Sequence, residues 1–300
     1  MSDGPQFNGI ITALVTPFSL QGQILEESLR ELIRFQLRAG VHGLFPCGTT
    51  GMGPVMSVEQ RKKVAELVVR EARGQVPVIV QIGAANPKES FELALHAEGI
   101  GATAVASLTP FFYQPGEDAI VEYFRELTRI TSLPMVIYNI PRHTGNNIDP
   151  NLLLRLTKLP HVTGIKDSSS DFSQLVGFLG TAPAGFNVIS GTDSFLFSAL
   201  CAGAKAGVSA VANAFPEIFV RMYEHFRAEE YAEGRELQLK IHRLRGAVGK
   251  PPLSPILEAL KIRGLKSGTV KPPLRPMNTQ EIGELRTKIS NIVPDLPNTA

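Results

Sequence analysis

Met135-Val136-Ile137-Tyr138-Asn139 is followed, after a polar turn and the run Asp149–Thr157, by Val162-Thr163-Gly164-Ile165-Lys166. Two short β-branched runs flank one segment with helical spacing of Leu152, Leu153 and Leu156, which reads as strand, helix, strand. Strands that are apolar on both faces and separated by helices pair in parallel, buried under helices on either side.

The same unit recurs in both directions. Upstream, Ile10–Thr16 reads as a strand before the helix Leu25–Ala39, whose Leu29, Leu32, Ile33 and Leu37 share one face. Gly43–Pro46 precedes the helix Val58–Ala72, with Ser57 as its N-cap and Glu59 and Gln60 in its first turn. Val78–Gln81 precedes Lys88–Ile100, opened by Pro87, and Ala104–Ser107 precedes Glu117–Thr131. Downstream, Phe172–Leu179 follows the Lys166 strand. Phe186–Ser190 then precedes the helix Asp193–Ala202, and Ala206–Ser209 precedes a helix from Pro216. Eight such units by residue 228 predict a closed (β/α)8 TIM barrel over residues 1–228. An open doubly wound sheet is the alternative, but no nucleotide fingerprint accompanies the units. Residues 229–300 show no strand signal. Glu229–Val248, Leu253–Ile262 and Thr279–Ile292 read as helices, broken at Gly249–Pro252 and Lys271–Pro276, and form a C-terminal helical extension of the same domain.

Composition narrows the function classes. The 300 residues are 43% hydrophobic and 19% charged, enough to bury a large core in one barrel. A net charge of +2, with no basic block, argues against a nucleic-acid partner. No apolar run approaches the roughly 20 residues that span a bilayer, and Met1–Asn8 lacks the pattern of a secretory signal. Cys47 and Cys201 are too few for a disulfide framework, so the expectation is a cytoplasmic protein without membrane contact. His42, His96, His143, His161, His225 and His242 are scattered without ligand spacing, so no metal is expected.

In such a barrel, chemistry gathers at the C-terminal ends of the strands. Lys166 ends one of them. Burial lowers a lysine pKa, and the neutral amine condenses with carbonyls to an iminium that accepts electrons from a breaking C–C bond. The competing reading is an outward lysine or one paired with Asp167. Tyr138 ends the preceding strand, where a phenol relays protons or, equally, satisfies one buried hydrogen bond. Gly48-Thr49-Thr50-Gly51-Met52-Gly53 follows the second strand. Its glycines, turn amides and two hydroxyls suit a carboxylate, and it lacks the lysine of a phosphate loop. His143 follows Tyr138 in the same loop.

Taken in order, Thr16-Pro17-Phe18, Gly48-Thr49-Thr50-Gly51, Thr109-Pro110, Tyr138-Asn139-Ile140-Pro141 and Gly164-Ile165-Lys166-Asp167 resemble the family of dihydrodipicolinate synthase, N-acetylneuraminate lyase and 2-keto-3-deoxygluconate aldolase. The resemblance covers nearly the whole chain. It implies that Lys166 forms an imine with pyruvate or a pyruvate-yielding keto acid. By the same resemblance Tyr138 and Thr50 relay protons, and Gly48, Thr49 and Thr50 bind the carboxylate. Val208 contacts pyruvate through its backbone, while Ser168, Thr192, Asp193 and His143 face the distal part of the substrate. It further implies a homotetramer and no cofactor.

Three departures bear on the substrate. Met52, then Gly53-Pro54, stands where the synthase and the neuraminate lyase carry Glu, as in archaeal-type 2-keto-3-deoxygluconate aldolases. His143 stands where the synthase carries Arg to grip a second carboxylate, and neutral imidazole replaces that fork poorly. Phe112, in Thr109-Pro110-Phe111-Phe112-Tyr113, stands where the synthase presents a tyrosine to a neighbouring subunit. The expectation is therefore a class I lyase cleaving a 2-keto-3-deoxy sugar acid to pyruvate and an aldehyde. Dihydrodipicolinate synthase, a keto-deoxy-acid dehydratase, and a barrel that has lost catalysis and serves as a binding protein remain the alternatives.

Overall fold

The computed structural model describes residues 5–249 and 253–295. The expected breaks at 250–252, the first residues of the polar N-terminus and the last five residues of the extension lie outside them.

Eight parallel strands run β1 (Gly9–Thr12), β2 (Gly43–Leu44), β3 (Ile79–Gln81), β4 (Ala104–Leu108), β5 (Met135–Asn139), β6 (Val162–Asp167), β7 (Asn187–Ser190) and β8 (Ala206–Ser209). They pair in the spatial order β2-β1-β8-β7-β6-β5-β4-β3. A parallel bridge between Leu44 and Val78 joins the outer pair and closes the barrel. The fold is the (β/α)8 barrel expected.

The helices between strands are α1 (Glu26–Arg38), α2 (Val58–Ala72), α3 (Pro87–Gly99), α4 (Glu117–Ile130), α5 (Pro141–Thr144), α6 (Pro150–Leu156), α7 (Phe172–Thr181) and α8 (Leu196–Cys201). Then follow α9 (Pro216–Arg227), α10 (Tyr231–Val248), α11 (Leu253–Ile262) and α12 (Thr279–Ile292). Ser57 caps α2 as its sequence suggests. Its hydroxyl accepts from Gln60 N–H at 3.2 Å, and the Gln60 side chain accepts from Ser57 N–H at 3.4 Å. Two cores result. Leu32, Val64, Leu93, Phe124, Leu152 and Phe178 belong to the layer between sheet and helices, while Ile11, Phe45, Ala106, Val136, Ile189 and Val208 fill the barrel interior.

Local departures from the sequence reading have physical causes. β1 ends at Thr12 because Val15 N–H leaves the ladder for the Asn213 side chain at 3.0 Å, and Pro17 has no N–H to offer. α5 is a single turn opened by Pro141 and stopped by Gly145 in the left-handed region at φ 73°. The expected helix Asp193–Ala202 is split into a 3-10 turn, Asp193–Phe195, and α8. Gln238 of α10 does this, donating to the Asp193 carbonyl at 2.8 Å and accepting from Phe197 N–H at 2.7 Å.

The segment after α11 returns to the end of the barrel where the strands terminate. Thr269 forms an antiparallel bridge with Phe18, its N–H donating to the Phe18 carbonyl at 2.8 Å. Lys271 N–H then donates to Met52 Sδ at 3.5 Å, and Lys271 Nζ to Gln60 Oε1 at 2.6 Å. Among the described residues, no helix is long and apolar enough to cross a membrane.

Candidate active site

Lys166 and Tyr138 are register partners on β6 and β5, so their inward side chains meet inside the barrel mouth. Both are buried, with 4% and 3% of their surface exposed. The Lys166 nitrogen lies 3.7 Å from the Tyr138 ring centroid and 4.2 Å from that of Phe45. A desolvated ammonium gains about 2 kcal/mol or somewhat more from such a ring. Losing its hydration costs several kcal/mol, and the larger effect decides the direction. Burial pushes the Lys166 amine below its ordinary range, against the opposing pull of Tyr138 and Asp193.

Asp167 does not serve as the partner of Lys166. It accepts from Asn139 Nδ2 at 2.9 Å, from Ser169 Oγ at 2.6 Å and from Gln174 Nε2 at 3.3 Å. These donors hold a buried carboxyl whose pKa burial nevertheless raises. Strand alternation is the reason: Lys166 faces the barrel axis, and its neighbour faces the helix layer.

The loop after β2 supplies the hydroxyls. Thr49 Oγ1 lies 3.3 Å from Tyr138 Oη, and half-buried Thr50 follows in the same turn. Gly53 N–H donates to the Gly48 carbonyl at 3.0 Å, closing the turn. A side chain at Gly53 would overlap the Cys47 carbonyl oxygen, so only glycine permits this approach. Burial acts to raise the Tyr138 phenol. The Lys166 charge and hydrogen bonding from Thr49, Lys166 and Ser168 outweigh it, and the net direction is downward.

The remaining predicted residues divide into two groups. Val208 on β8 and Ser168 after β6 are buried at the same end of the barrel, with Thr192 half-buried after β7. Asp193 beside Thr192 is 8% exposed, and its Oδ1 has no hydrogen-bond partner. Burial raises its carboxyl to about 6, opposed by hydrogen bonds from Ser209 and the Val211 backbone. His143, in α5, is exposed on the rim and outside this buried group. Partial desolvation of its ring, with the Arg142 charge beside it, holds its pKa below the ordinary value.

Sequence reasoning missed Phe45 as the second ring over Lys166. It also missed the use of Met52, which is buried and turned to Lys271 N–H. Only the apolar alternation of the second strand pointed to Phe45, and nothing local pointed to residue 271. Phe112 and Tyr113 project from the β4–α4 loop, 85% and 76% exposed, with Phe112 in the left-handed region at φ 79°.

The model of the dihydrodipicolinate synthetase family matches residues 6–292. The 4-hydroxy-tetrahydrodipicolinate synthase of Methanopyrus kandleri is 34% identical over 278 residues, covering 85% of this chain and 92% of that one. The corresponding protein of Methanothrix thermoacetophila is 33% identical over 295 residues, covering 97% and 99%. Among solved structures, a prophage protein of the dihydrodipicolinic acid synthase family from E. coli K12, in complex with pyruvate, superposes with a TM-score of 0.93. It is 28% identical, and the match covers 95% of this chain and 98% of that chain.

Proposed function

The chain belongs to the dihydrodipicolinate synthetase family of class I, Schiff-base, pyruvate-dependent lyases, and from that premise we propose that it cleaves a 2-keto-3-deoxy sugar acid to pyruvate and an aldehyde through Lys166. The observation that supports this most is the Lys166 amine itself. It is buried between two rings, without a salt bridge to a carboxylate among the described residues, and within reach of a phenol already bonded to a threonine.

In this reading the neutral amine adds to the C2 carbonyl, the Tyr138 phenol protonates the departing hydroxyl, and water leaves, giving a cationic iminium beside the Tyr138 anion. The positive charge on nitrogen draws the Tyr138 phenol toward its anion, because the two partners face each other at close range. Tyr138 oxygen takes the proton of the C4 hydroxyl, the C3–C4 bonding pair moves into the iminium, and the aldehyde leaves. Tyr138 returns the proton to C3 of the enamine, water hydrolyses the iminium to pyruvate and the free amine, and the Tyr138 anion takes back the proton released. The iminium holds the electron pair, so the cycle asks for no metal or organic cofactor. Gly48, Thr49 and Thr50 take the substrate carboxylate, the Val208 backbone the pyruvoyl oxygen, and Thr192, Asp193 and His143 the distal hydroxyls. The orphaned Asp193 Oδ1 suits an alcohol donor.

Substrate class rests on His143 and Phe112. Met52 loses weight here, since its thioether meets Lys271 N–H. A rim imidazole offers a second carboxylate little, whereas hydroxyls need only neutral partners. A second reading, condensation of pyruvate with aspartate semialdehyde, is favoured by relatives named 4-hydroxy-tetrahydrodipicolinate synthase at 34% identity. A panel of 2-keto-3-deoxy sugar acids, scored for pyruvate release beside aspartate semialdehyde condensation, separates the two. Condensation alone sinks the first. We place the protein in the cytoplasm as a homotetramer, with the exposed Phe112–Tyr113 tip against a second copy; a monomer by light scattering refutes the assembly.

A further inference from the structure

β5 and β6 do not keep one register along their length. Met135 pairs with Val162 but Val136 with Gly164, so Thr163 has no partner on β5, and its buried hydroxyl makes no hydrogen bond. A slip of one residue farther along would set Tyr138 opposite a side chain of the other face. The start of the pair therefore cannot fix its catalytic end. One step beyond Tyr138 and Lys166, Asn139 lies opposite Asp167, and both are buried on the helix-facing side. Asn139 Nδ2 donates to Asp167 Oδ1 at 2.9 Å, while its Oδ1 accepts from Ile148 N–H at 3.0 Å. Nδ2 also donates to Asn147 Oδ1 at 2.9 Å, so one amide joins β5, β6 and the loop before α6. An acceptor alone would offer Asp167 no proton, and a hydrocarbon would strand the Ile148 N–H. From the other side Ser169 Oγ–H donates to the carboxylate at 2.6 Å and Gln174 Nε2 at 3.3 Å, fixing it to the start of α7. The backbone continues the seam, with Ser168 N–H donating to the Asn139 carbonyl at 2.8 Å.

We propose that Asn139 and Asp167 are positioning residues, a cross-strand clamp on the outer face of β5 and β6 that keeps Tyr138 in register with Lys166 on the inner face. The inference rests on the Schiff-base reading above. Neither residue touches the reacting atoms or exchanges a proton in the cycle. The pair acts through the 3.7 Å between the Lys166 nitrogen and the Tyr138 ring. Loosening it leaves an amine that still condenses with pyruvate, but displaces the phenol that moves the proton at C3.

Pyruvate alone tests this. Its methyl protons exchange in D2O through the enamine with Tyr138 as base, whereas borohydride trapping at saturating pyruvate counts reactive amine only. Asn139→Asp sets an oxygen where Nδ2 lies, 2.9 Å from Asp167 Oδ1. Two carboxylates this close share a proton in acid and repel once it is lost. Asn139→Asp is expected to trap pyruvate to the wild-type endpoint and to exchange like the wild type at about pH 5. At about pH 8 its exchange should fall roughly a hundredfold below the wild type. Combining Asn139→Asp with Asp167→Asn restores one amide facing one carboxylate, in reversed orientation, and returns the exchange profile to that of the wild type. Asn139→Asp exchange that tracks the wild type at every pH overturns the proposal. So does a double variant that is folded by circular dichroism yet exchanges about a hundredfold slowly at every pH, and this variant decides the question if the single one does not fold. A wild type that neither traps nor exchanges pyruvate overturns the Schiff-base reading, and this inference with it.

Discussion

Gly53→Ala isolates the geometry of the Thr49–Thr50 turn from its chemistry. The added methyl overlaps the Cys47 carbonyl oxygen and approaches the carbonyl carbon to 2.9 Å. Non-bonded carbons settle at about 3.5–4.0 Å, so the backbone gives by at least roughly 0.6 Å, and relieving the oxygen takes this to about 1 Å. Neither contact atom is a flexible side-chain end. The turn itself moves, carrying Thr49 Oγ1 away from Tyr138 Oη, which it now meets at 3.3 Å. A 1 Å misplacement of catalytic groups costs on the order of a hundredfold in rate, while overpacking costs about 1–3 kcal/mol of stability. Gly53→Ala is therefore expected to remain folded by circular dichroism and to lose about a hundredfold in kcat/KM for pyruvate release from a keto-deoxy acid. Borohydride trapping should slow in parallel. A variant within threefold of wild type in both assays refutes the argument that this close approach sets the position of the hydroxyls.

Lys166→Ala should keep the barrel, since it replaces a buried amine rather than a packing residue, and mass spectrometry after borohydride and pyruvate should find no adduct; an adduct elsewhere would show that another lysine reacts. The Asp193 carboxyl rises on folding from 3.8 to about 6, so the unfolded chain loses its proton first and stability falls as pH climbs between those values. At about 1.4 kcal/mol per pH unit this amounts to about 3 kcal/mol. Asp193→Asn should flatten that decline in urea titrations at pH 4 and pH 7, and an unchanged slope removes Asp193 as its source. His143→Arg should raise kcat/KM for a carboxylate-bearing aldehyde about tenfold over the wild type by adding a bidentate donor; equal values would place residue 143 outside the distal subsite.

Regular elements were legible wherever local pattern and burial agreed. The β5 run Met135–Asn139 and the β8 run Ala206–Ser209 have the limits read from sequence, as do α2, α11 and α12. Ends set by distant partners were not legible. Asn213, remote in sequence but just after the neighbouring strand β8, shortens β1, and Gln238 splits the helix after Asp193. The same holds at the candidate site. Lys166 and Tyr138 stood out because a polar group closing an apolar strand is conspicuous. Phe45 did not, because a ring in a strand is unremarkable until the amine beside it is placed. The isolation of Lys166 from Asp167 required knowing that Asn139, Ser169 and Gln174 had claimed the carboxylate.

The return of residues 269–271 to the Phe18 and Met52 turns has a consequence for biosynthesis. A ribosome that has extruded all eight strands still withholds the segment that backs these two turns. The nascent barrel thus matures at its rim only near the end of translation, and a transcript truncated before codon 269 yields a product whose Gly48–Gly53 turn lacks its buttress.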